Sequence, residues 1–235
     1  MSLDVLRVIT ARHCKRAYLD RPVPQALLRE VLAAAAHAPS TRNAQPWHVV
    51  VLSGATRVRL ADRLCAAFDA DVSARPDYVN RRPSSASASA SASASASDPR
   101  ELERAERAGR GLFEALGIAR DDQQARRAHL RGNFQFHGAP AAMILHLPAD
   151  AVAGTFLEMG CFLQNIMIGL VACGLGSCPQ YSVAGYGDCI RSELGLGADR
   201  LIVCSLAVGY PDPHAPVNAF APERAGLDEY TRWLD

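Results

Sequence analysis

The chain has 235 residues, of which 49% are apolar and 21% charged. This composition is typical of a soluble globular core and excludes disordered and fibrous chains. The 25 basic and 24 acidic residues leave a formal net charge of +1, which argues against a nucleic-acid partner or an anionic membrane held by bulk charge. The length fits one large domain or two small ones equally well.

Neither a membrane span nor a targeting segment is predicted. The apolar runs fall short of the roughly 20 residues of a transmembrane helix, and residues 1–12 lack a basic stretch followed by an apolar one. The 7 cysteines are an odd number at wide spacing, with no Cys-x-x-Cys pair, so we expect neither a disulfide scaffold nor a metal site. These features predict a cytoplasmic protein whose cysteines are mostly small buried residues.

The first part of the chain predicts two helices, a strand and a third helix. Apolar residues at helical spacing place the first helix over residues 2–10, and the second follows Pro24 and stops before Pro39. A β-branched run over residues 47–52 predicts a buried strand, and a helix through Phe68 follows. The apolar residues that define the first two helices are Leu3, Leu6, Ile9, Leu27, Leu28, Val31, Leu32 and Ala35.

Residues 69–132 differ in composition from the segments on either side. Ser85–Ser97 alternates serine and alanine without a large apolar residue, so it cannot bury enough surface to offset the entropy of ordering. We therefore expect a flexible low-complexity insertion at about residues 84–98. The arginine-rich stretch over residues 101–131 has a helical pattern.

The second part of the chain predicts two strands around an apolar helix. The strands are expected over residues 141–147 and 201–208, and Thr155 and Glu158 have the spacing of a capping box that opens a helix over residues 156–173. Because this helix is apolar on nearly every side, it should lie inside the fold. The alternation of strands and helices indicates an α+β layered fold. The remaining elements are a short segment over residues 177–181, a helix over 188–194 and a terminal helix over 227–234.

Three polar stretches lie where a simple core would not need them. Residues 12–16 bring four potentially cationic side chains together, which fits either a solvated charge run or a site for an anion such as phosphate. Residues 38–47 hold serine, threonine, asparagine and glutamine between two prolines. This pattern fits either a binding loop or a turn with local side-chain hydrogen bonds. Residues 178–181 begin with a cysteine and a proline after the apolar helix. The sequence lacks the Walker phosphate loop, the dinucleotide-binding motif Gly-x-Gly-x-x-Gly, the nucleophile motif Gly-x-Ser-x-Gly and the zinc-binding motif His-Glu-x-x-His.

Five motifs occur in order along the chain. They are Arg12-x-Cys14-x-Arg16, Ala38-Pro39-Ser40-x-x-Asn43-x-Gln45-Pro46-Trp47, Leu163-Gln164-Asn165-Ile166-Met167, Gly174-Leu175-Gly176-x-Cys178-Pro179-Gln180, and Gly209-Tyr210-x-Asp212-Pro213 with Arg224. In this order they resemble the FMN-dependent nitroreductase family, from about residue 4 to the C-terminus. The stretch over residues 133–140 makes the chain most similar to the nitrobenzoate-reductase-like branch.

The resemblance implies a fold, a cofactor and an oligomeric state. Residues 1–235 would form a single FMN-binding domain with a nitroreductase-like α+β fold, in which a central, mostly antiparallel sheet is flanked by helices around a buried helix. Two chains would form a homodimer with two FMN sites at the interface. In the family, the first motif and a C-terminal arginine hold the phosphate and polar side of FMN, the proline-flanked loop reaches the FMN of the partner, and the Pro-Gln segment passes the flavin ring. The corresponding residues here are Arg12, His13, Cys14, Arg16 and Arg224, then Pro39, Ser40, Thr41 and Asn43, then Pro179, Gln180 and Tyr181.

The resemblance also implies a reaction. FMN would take a hydride at N5 from NADPH or NADH, beside a backbone N–H near Gln180 and Tyr181, and pass it in ping-pong order to a nitroaromatic, a quinone or a related small aromatic acceptor. No side chain would serve as a nucleophile or dedicated base. Cys14 stands where the family usually has serine, a better hydrogen-bond partner. Three alternatives stay open, namely other flavin chemistry (dehalogenation, dehydrogenation or flavin fragmentation), a non-catalytic flavin-binding protein, and a structural protein that binds no flavin.

Overall fold

A four-stranded antiparallel sheet forms the centre of the computed structural model, which describes residues 5–79 and 98–234. β2 (Ala141–Pro148) and β4 (Arg200–Gly209) form the central pair and are buried along nearly their whole length, as their continuous apolar runs predict. The predicted α+β fold around an antiparallel sheet is confirmed. The strands, in the spatial order β1-β2-β4-β3, are β1 (His48–Ser53), β2 (Ala141–Pro148), β4 (Arg200–Gly209) and β3 (Gly176–Gln180).

Helices cover both faces of this sheet. The stripe predicted for the second helix is largely confirmed, because Leu28, Val31 and Ala35 are buried. The two helices that follow residue 98 confirm the helical pattern of residues 101–131, whereas the Ser/Ala tract Ser85–Ser97 lies outside the described residues. In the described ranges the helices are α1 (Val5–Ala11), α2 (Gln25–Ala35), α3 (Gly54–Asp69), α4 (Pro99–Ala115), α5 (Gln123–Gly132), α6 (Ala153–Ala172), α7 (Gly187–Leu194) and α8 (Pro216–Ala219).

The alternation of side chains along β2 divides the core into two layers. Met143 and Leu145 belong to an apolar cluster with α2 and α6, whereas Ala142 and Ile144 belong to a cluster with α3 and α7. Successive residues of a strand face opposite sides of a sheet, and here both sides are covered. Each large side chain buried in these layers stabilises the fold by about 1.5–3 kcal/mol.

The edge strand β3 occupies most of the segment over residues 177–181, for which no strand was expected. Pro179 interrupts the strand pattern because it has no N–H to donate. A proline is tolerated on an edge strand, where one side has no neighbouring strand to receive the N–H. An isolated parallel bridge joins β3 at Ser177 to Cys14, so the edge of the sheet lies against the N-terminal polar motif.

The apolar helix α6 begins earlier than expected and is capped differently. The predicted capping box is wrong, because the Thr155 hydroxyl accepts from the N–H of Val152 at 3.3 Å and the helix starts at Ala153. Glu158 is engaged elsewhere, since its Oε1 accepts from the N–H of Thr41 at 2.7 Å. The Glu158 carboxylate, which the spacing predicted to cap the start of α6, therefore binds the backbone of the proline-flanked loop instead.

One side of α6 packs in the core and another side is exposed in the single chain. Met159 and Phe162 are buried, whereas Leu157 is 72% exposed. In the described part of the chain, α6 is the one helix long and apolar enough to cross a membrane by length and composition, and 33% of that stretch is buried. The expectation that no apolar run reaches this length is wrong, although a core helix of a soluble protein has the same composition.

The two ends of the chain also differ from expectation. In α1, Val8 is buried, but Leu6 and Ile9 are 70% and 40% exposed. α1 also contacts α6. The predicted terminal helix over residues 227–234 is wrong, since a 3-10 turn at Leu227–Glu229 is the only helical element there.

Candidate anion-binding pocket

Three segments of the chain that are distant in sequence form a cationic pocket of about 220 Å³. Arg12 and Arg16 come from the segment that follows α1, Arg224 comes from the C-terminal segment, and Leu112 of α4 covers the pocket. The five residues that the resemblance assigns to the phosphate side of FMN therefore lie together. The other lining residues are His13, Cys14, Ala108, Gly109, Phe220 and Pro222.

The arginines of this pocket have their charges available for a ligand. Within the described residues, Arg12, Arg16 and Arg224 form no ion pair with a carboxylate. Arg224 donates to two backbone carbonyl oxygens, of Pro222 at 2.7 Å and of Glu223 at 3.2 Å. Guanidinium groups are permanently charged and can contact two phosphate oxygens at once. The pocket therefore fits a phosphate group.

Asn218 fixes the backbone of the N-terminal motif. Its Oδ1 accepts from the N–H groups of Arg16 at 2.8 Å and Ala17 at 3.3 Å, and its Nδ2 donates to the carbonyl oxygens of Ala17 at 2.7 Å and Asp212 at 3.0 Å. The residue is 5% exposed, so removing its amide would leave buried backbone groups without partners. One side chain thus joins positions 202 residues apart.

Lys15 has a different role from the arginines on either side of it. Its Nζ donates to the carbonyl oxygen of Asn218 at 2.7 Å and lies 2.7 Å from Nε2 of His13. Burial lowers the pKa of Lys15. Of the four cationic candidates in residues 12–16, Arg12, His13 and Arg16 therefore line the pocket, and Lys15 holds the C-terminal segment against the motif.

The segment expected beside the flavin ring contains a buried amide that lacks a partner. Gln180 is buried, and its Oε1 accepts from the hydroxyl of Ser205 at 2.7 Å, but its Nε2 has no hydrogen-bond acceptor among the described residues. Pro179 is half-buried and Tyr181 is 47% exposed. A buried donor left unpaired costs about 1–3 kcal/mol, so an acceptor on a ligand would stabilise this end of β3.

The proline-flanked loop lies outside the pocket of its own chain. A 3-10 turn at Thr41–Asn43 places Arg42 and Asn43 at φ angles of 53° and 56°, and Glu158 holds the turn through the Thr41 N–H. The assignment of this loop to the cofactor of the partner subunit stays a prediction. The loop residues in that assignment, all missing from the lining of the pocket, are Pro39, Ser40, Thr41 and Asn43.

The residues of the site that were not expected from the sequence include Leu112, Phe220 and Asn218. Gly111 carried a signal for Phe220, because a Cβ atom at Gly111 would lie 2.6 Å from the Phe220 ring. Glycine inside a helix costs about 1 kcal/mol, and its presence in α4 indicates close packing. Asn218 had no comparable signal, since a single asparagine gives no pattern that distinguishes a buried amide from a surface one.

Known proteins share both the sequence and the fold of this chain. The sequence profile described as "Nitroreductase family" matches residues 9–210. The chain belongs to the nitroreductase family. Among curated members, nitroreductase NfnB of Mycolicibacterium smegmatis is 36% identical over 97% of this chain and 91% of its own length. A 4-nitrobenzoate reductase of Pseudomonas putida is 32% identical over 98% of this chain and 96% of its own length.

Solved structures of nitroreductases superpose closely on this family member. The FMN and NADPH-dependent nitroreductase NfnB of Sphigopyxis sp. strain HMH has a TM-score of 0.90 at 35% identity, covering 99% of this chain and 100% of the other. The FMN-dependent nitroreductase NfnB of Mycobacterium smegmatis, solved in complex with NADPH, has a TM-score of 0.88 at 35% identity, covering 98% and 97%. The nitroreductase fold therefore extends over nearly the whole chain.

Proposed function

We propose that this chain is an FMN- and NADPH-dependent nitroreductase that works as a cytoplasmic homodimer and reduces nitroaromatics, quinones or related small aromatic acceptors. The observation that carries the proposal is the pocket of Arg12, Arg16 and Arg224, whose charge and size fit the phosphate of FMN. Relatives at 31–36% identity named as nitroreductases support the reaction class, and the NADPH complex of NfnB supports the choice of co-substrate.

The residues of the pocket would bind and orient the cofactor. Arg12 and Arg224 would hold the phosphate by charge-assisted hydrogen bonds. Arg16, positioned through its backbone by Asn218, would supply a fixed cation that stabilises negative charge on the reduced cofactor. The unpaired Nε2 of Gln180 would donate to a cofactor acceptor. When bound, FMN supplies the hydride transfer between NADPH and the acceptor, so no side chain of this chain needs to act as a nucleophile.

The exposed apolar surface of α1 and α6 supports a homodimer. Leu6 on α1 and Leu157 on α6 are 70% and 72% exposed in the single chain, the two helices contact each other, and large exposed apolar patches mark interaction sites. The loop around Thr41 is held by Glu158 of α6, so a partner on this surface would meet the loop as well.

The decisive experiment follows the visible absorbance of the purified protein through one catalytic cycle under anaerobic conditions. Protein saturated with FMN should lose its flavin absorbance on addition of NADPH and regain it on addition of 4-nitrobenzoate. A flavin that NADPH bleaches but that no acceptor reoxidises would instead favour a flavin-binding protein. A flavin that NADPH cannot bleach would favour other flavin chemistry, and a colourless protein that takes up no FMN at micromolar concentration would refute the proposal.

A further inference from the structure

Two cysteines from distant parts of the chain lie together beside the pocket. Cys14 is paired with Ser177 in the isolated parallel bridge, where the N–H of Lys15 donates to the carbonyl oxygen of Ser177 at 3.0 Å. Cys178 is the next residue of β3. Both side chains pack in the apolar cluster on the α3 side of the sheet, and the Sγ atom of Cys178 lies 3.9 Å from the carbonyl oxygen of Pro179. Both cysteines are free.

The backbone geometry suits a disulfide between these two residues. Paired strands lie about 4.8 Å apart and successive residues are about 3.3 Å apart along a strand, so Cα atoms one step off the paired position are separated by roughly 6 Å. Disulfides join Cα atoms that are about 4.4–6.8 Å apart. The Cα separation expected for Cys14 and Cys178 therefore lies within the range of a disulfide, and both side chains pack in the same cluster.

The two thiols differ in charge. The hydrogen bond from Cys178 is the main cause that lowers the pKa of Cys14 to about 6, and the cations of Arg16, Arg12 and His13 act in the same direction. The same hydrogen bond, together with burial, raises the pKa of Cys178 well above its usual value. At neutral pH the pair therefore consists of a thiolate that lines the pocket and a buried thiol beside it. The thiolate is the nucleophilic form of cysteine.

We propose that Cys14 and Cys178 form a peroxide-reactive dithiol that closes reversibly to a disulfide at the wall of the pocket. The thiolate sulfur of Cys14 attacks one oxygen of hydrogen peroxide, the O–O bond breaks, and a sulfenic acid forms while the departing hydroxide takes a proton to become water. The sulfur of Cys178 then attacks the sulfenic sulfur. The S–S bond forms, the S–O bond breaks, and the thiol proton leaves with the oxygen as a second water.

The overall reaction oxidises two thiols by two electrons and reduces one hydrogen peroxide to two waters. A dithiol reductant reverses it by thiol–disulfide exchange and is itself converted to a disulfide. Cytosolic disulfides are usually transient and redox-sensing, which fits a pair that is free in this structure. Closure also removes the negative charge of Cys14 from a pocket lined by arginines. This proposal does not depend on the reductase activity.

The test counts thiols in the full-length protein as purified, after reduction and anaerobic desalting. A small molar excess of hydrogen peroxide should remove two of the 7 thiols, and dithiothreitol should restore them. Trypsin digestion without reduction should release the short peptide His13-Cys14-Lys15 linked to the peptide that contains Cys178. Retention of all the thiols, or a link that uses another cysteine pair, would overturn the proposal.

Serine variants separate the roles of the two sulfurs. Cys178→Ser should leave Cys14 trapped by dimedone as a sulfenic acid with no cross-link, and Cys14→Ser should keep all of its remaining thiols, including that of Cys178. The matched control Cys173→Ser, at the end of α6, should form the cross-link as the wild type does. A loss of two thiols in Cys14→Ser would refute the assignment.

A measurement on the wild type does not depend on how these variants fold. The rate at which iodoacetamide alkylates Cys14 should rise with pH around a midpoint near 6, the lowered pKa of this thiol. A midpoint at or above the ordinary value of about 8.5 would contradict an activated thiolate.

Discussion

The Oε1 atom of Glu158 on α6 accepts a hydrogen bond of 2.7 Å from the backbone N–H of Thr41. The bond joins a core helix to a turn in which Arg42 and Asn43 adopt positive φ angles, a conformation that costs about 1 kcal/mol or more at a residue other than glycine. The shape of the proline-flanked loop therefore depends on a carboxylate 117 positions away.

Replacement of Glu158 should loosen this loop without altering the arginine pocket. Glu158→Ala removes the acceptor of the Thr41 N–H, and we expect a several-fold rise in the KM for the nitroaromatic acceptor together with about 1 kcal/mol of lost stability. Glu158→Gln keeps an oxygen acceptor, so its KM and its stability should lie between those of the wild type and those of Glu158→Ala. Steady-state kinetics provide the measurement, with Glu30→Ala on the exposed side of α2 as the control. Equal KM values for both alanine variants would show that the loop does not contribute to the site.

Arg224→Ala should weaken FMN binding through loss of a charge-assisted phosphate contact. Such a contact is worth about 1.5–3 kcal/mol, which corresponds to roughly 10- to 150-fold in Kd. Arg120→Ala removes an exposed arginine that lines a different cleft and should leave the Kd unchanged. Fluorescence titration of apoprotein with FMN measures both. An unchanged Kd in Arg224→Ala would place the phosphate elsewhere.

Asn218→Ala should destabilise the protein by about 2–4 kcal/mol, because the N–H groups of Arg16 and Ala17 would lose a buried acceptor. Asn133→Ala is the matched control, since the amide of Asn133 donates a single hydrogen bond to the carbonyl oxygen of Leu130. Urea unfolding followed by circular dichroism compares the two variants. A loss below about 0.5 kcal/mol in Asn218→Ala would mean that water replaces the amide at this position.

Leu157→Arg should shift the proposed homodimer towards monomer. The side chain is 72% exposed on the apolar surface of α6, and a partner would have to bury the new charge without a counter-ion. Val58→Arg is the control, because Val58 is 43% exposed on α3, on the opposite face of the sheet. Sedimentation velocity should detect monomer in Leu157→Arg alone. Dimers of equal stability in both variants would exclude α6 from the interface.

Acid should destabilise the fold through His146. Burial is the main cause that lowers the pKa of this residue to about 4, and the neighbouring His48, stacked at 5.3 Å, acts in the same direction. Between pH 6.5 and 4 the unfolded chain therefore binds a proton that the folded chain does not bind. Stability should be complete above pH 6.5 and fall by on the order of 2 kcal/mol as the pH approaches 4.

The measurement for this prediction is the free energy of unfolding in urea at several pH values. His146→Gln has no ionisable group, so its stability should depend less on pH over the same interval than that of the wild type. His214→Gln, an exposed histidine near the C-terminal segment, should keep the wild-type dependence. A parallel pH dependence in His146→Gln would assign the acid sensitivity to other groups.

Elements with a strong apolar period were predictable, and elements decided by distant contacts were not. The stripe of α2 and the runs of β2 and β4 follow from local sequence because each buries a whole face. β3 was missed because Pro179 breaks the strand pattern, which matters little at a sheet edge. The cap of α6 was wrong because Thr41, far away in sequence, uses the carboxylate of Glu158.

In the site, too, the features that depend on distant contacts could not be predicted from local sequence. Arg12, Arg16 and Arg224 were grouped by resemblance to a family, since nothing in the spacing of the first two predicts contact with a residue at the other end of the chain. The hydrogen bonds of Asn218 that make this contact could not be predicted, because they depend on tertiary packing. The acidity of Cys14 is equally a product of the fold, since Cys178 reaches it through the edge strand.

The hydrogen bonds between Asn218 and the Arg16 segment also set an order of events during synthesis. The segment that contains Arg16 leaves the ribosome long before Asn218, because 202 positions separate these two residues. The anion pocket can therefore close only after the last tenth or so of the chain has emerged, since domains fold as their segments are synthesised from the N-terminus. A nascent chain truncated before Asn218 would have the central sheet but not the pocket, so cofactor uptake should follow translation.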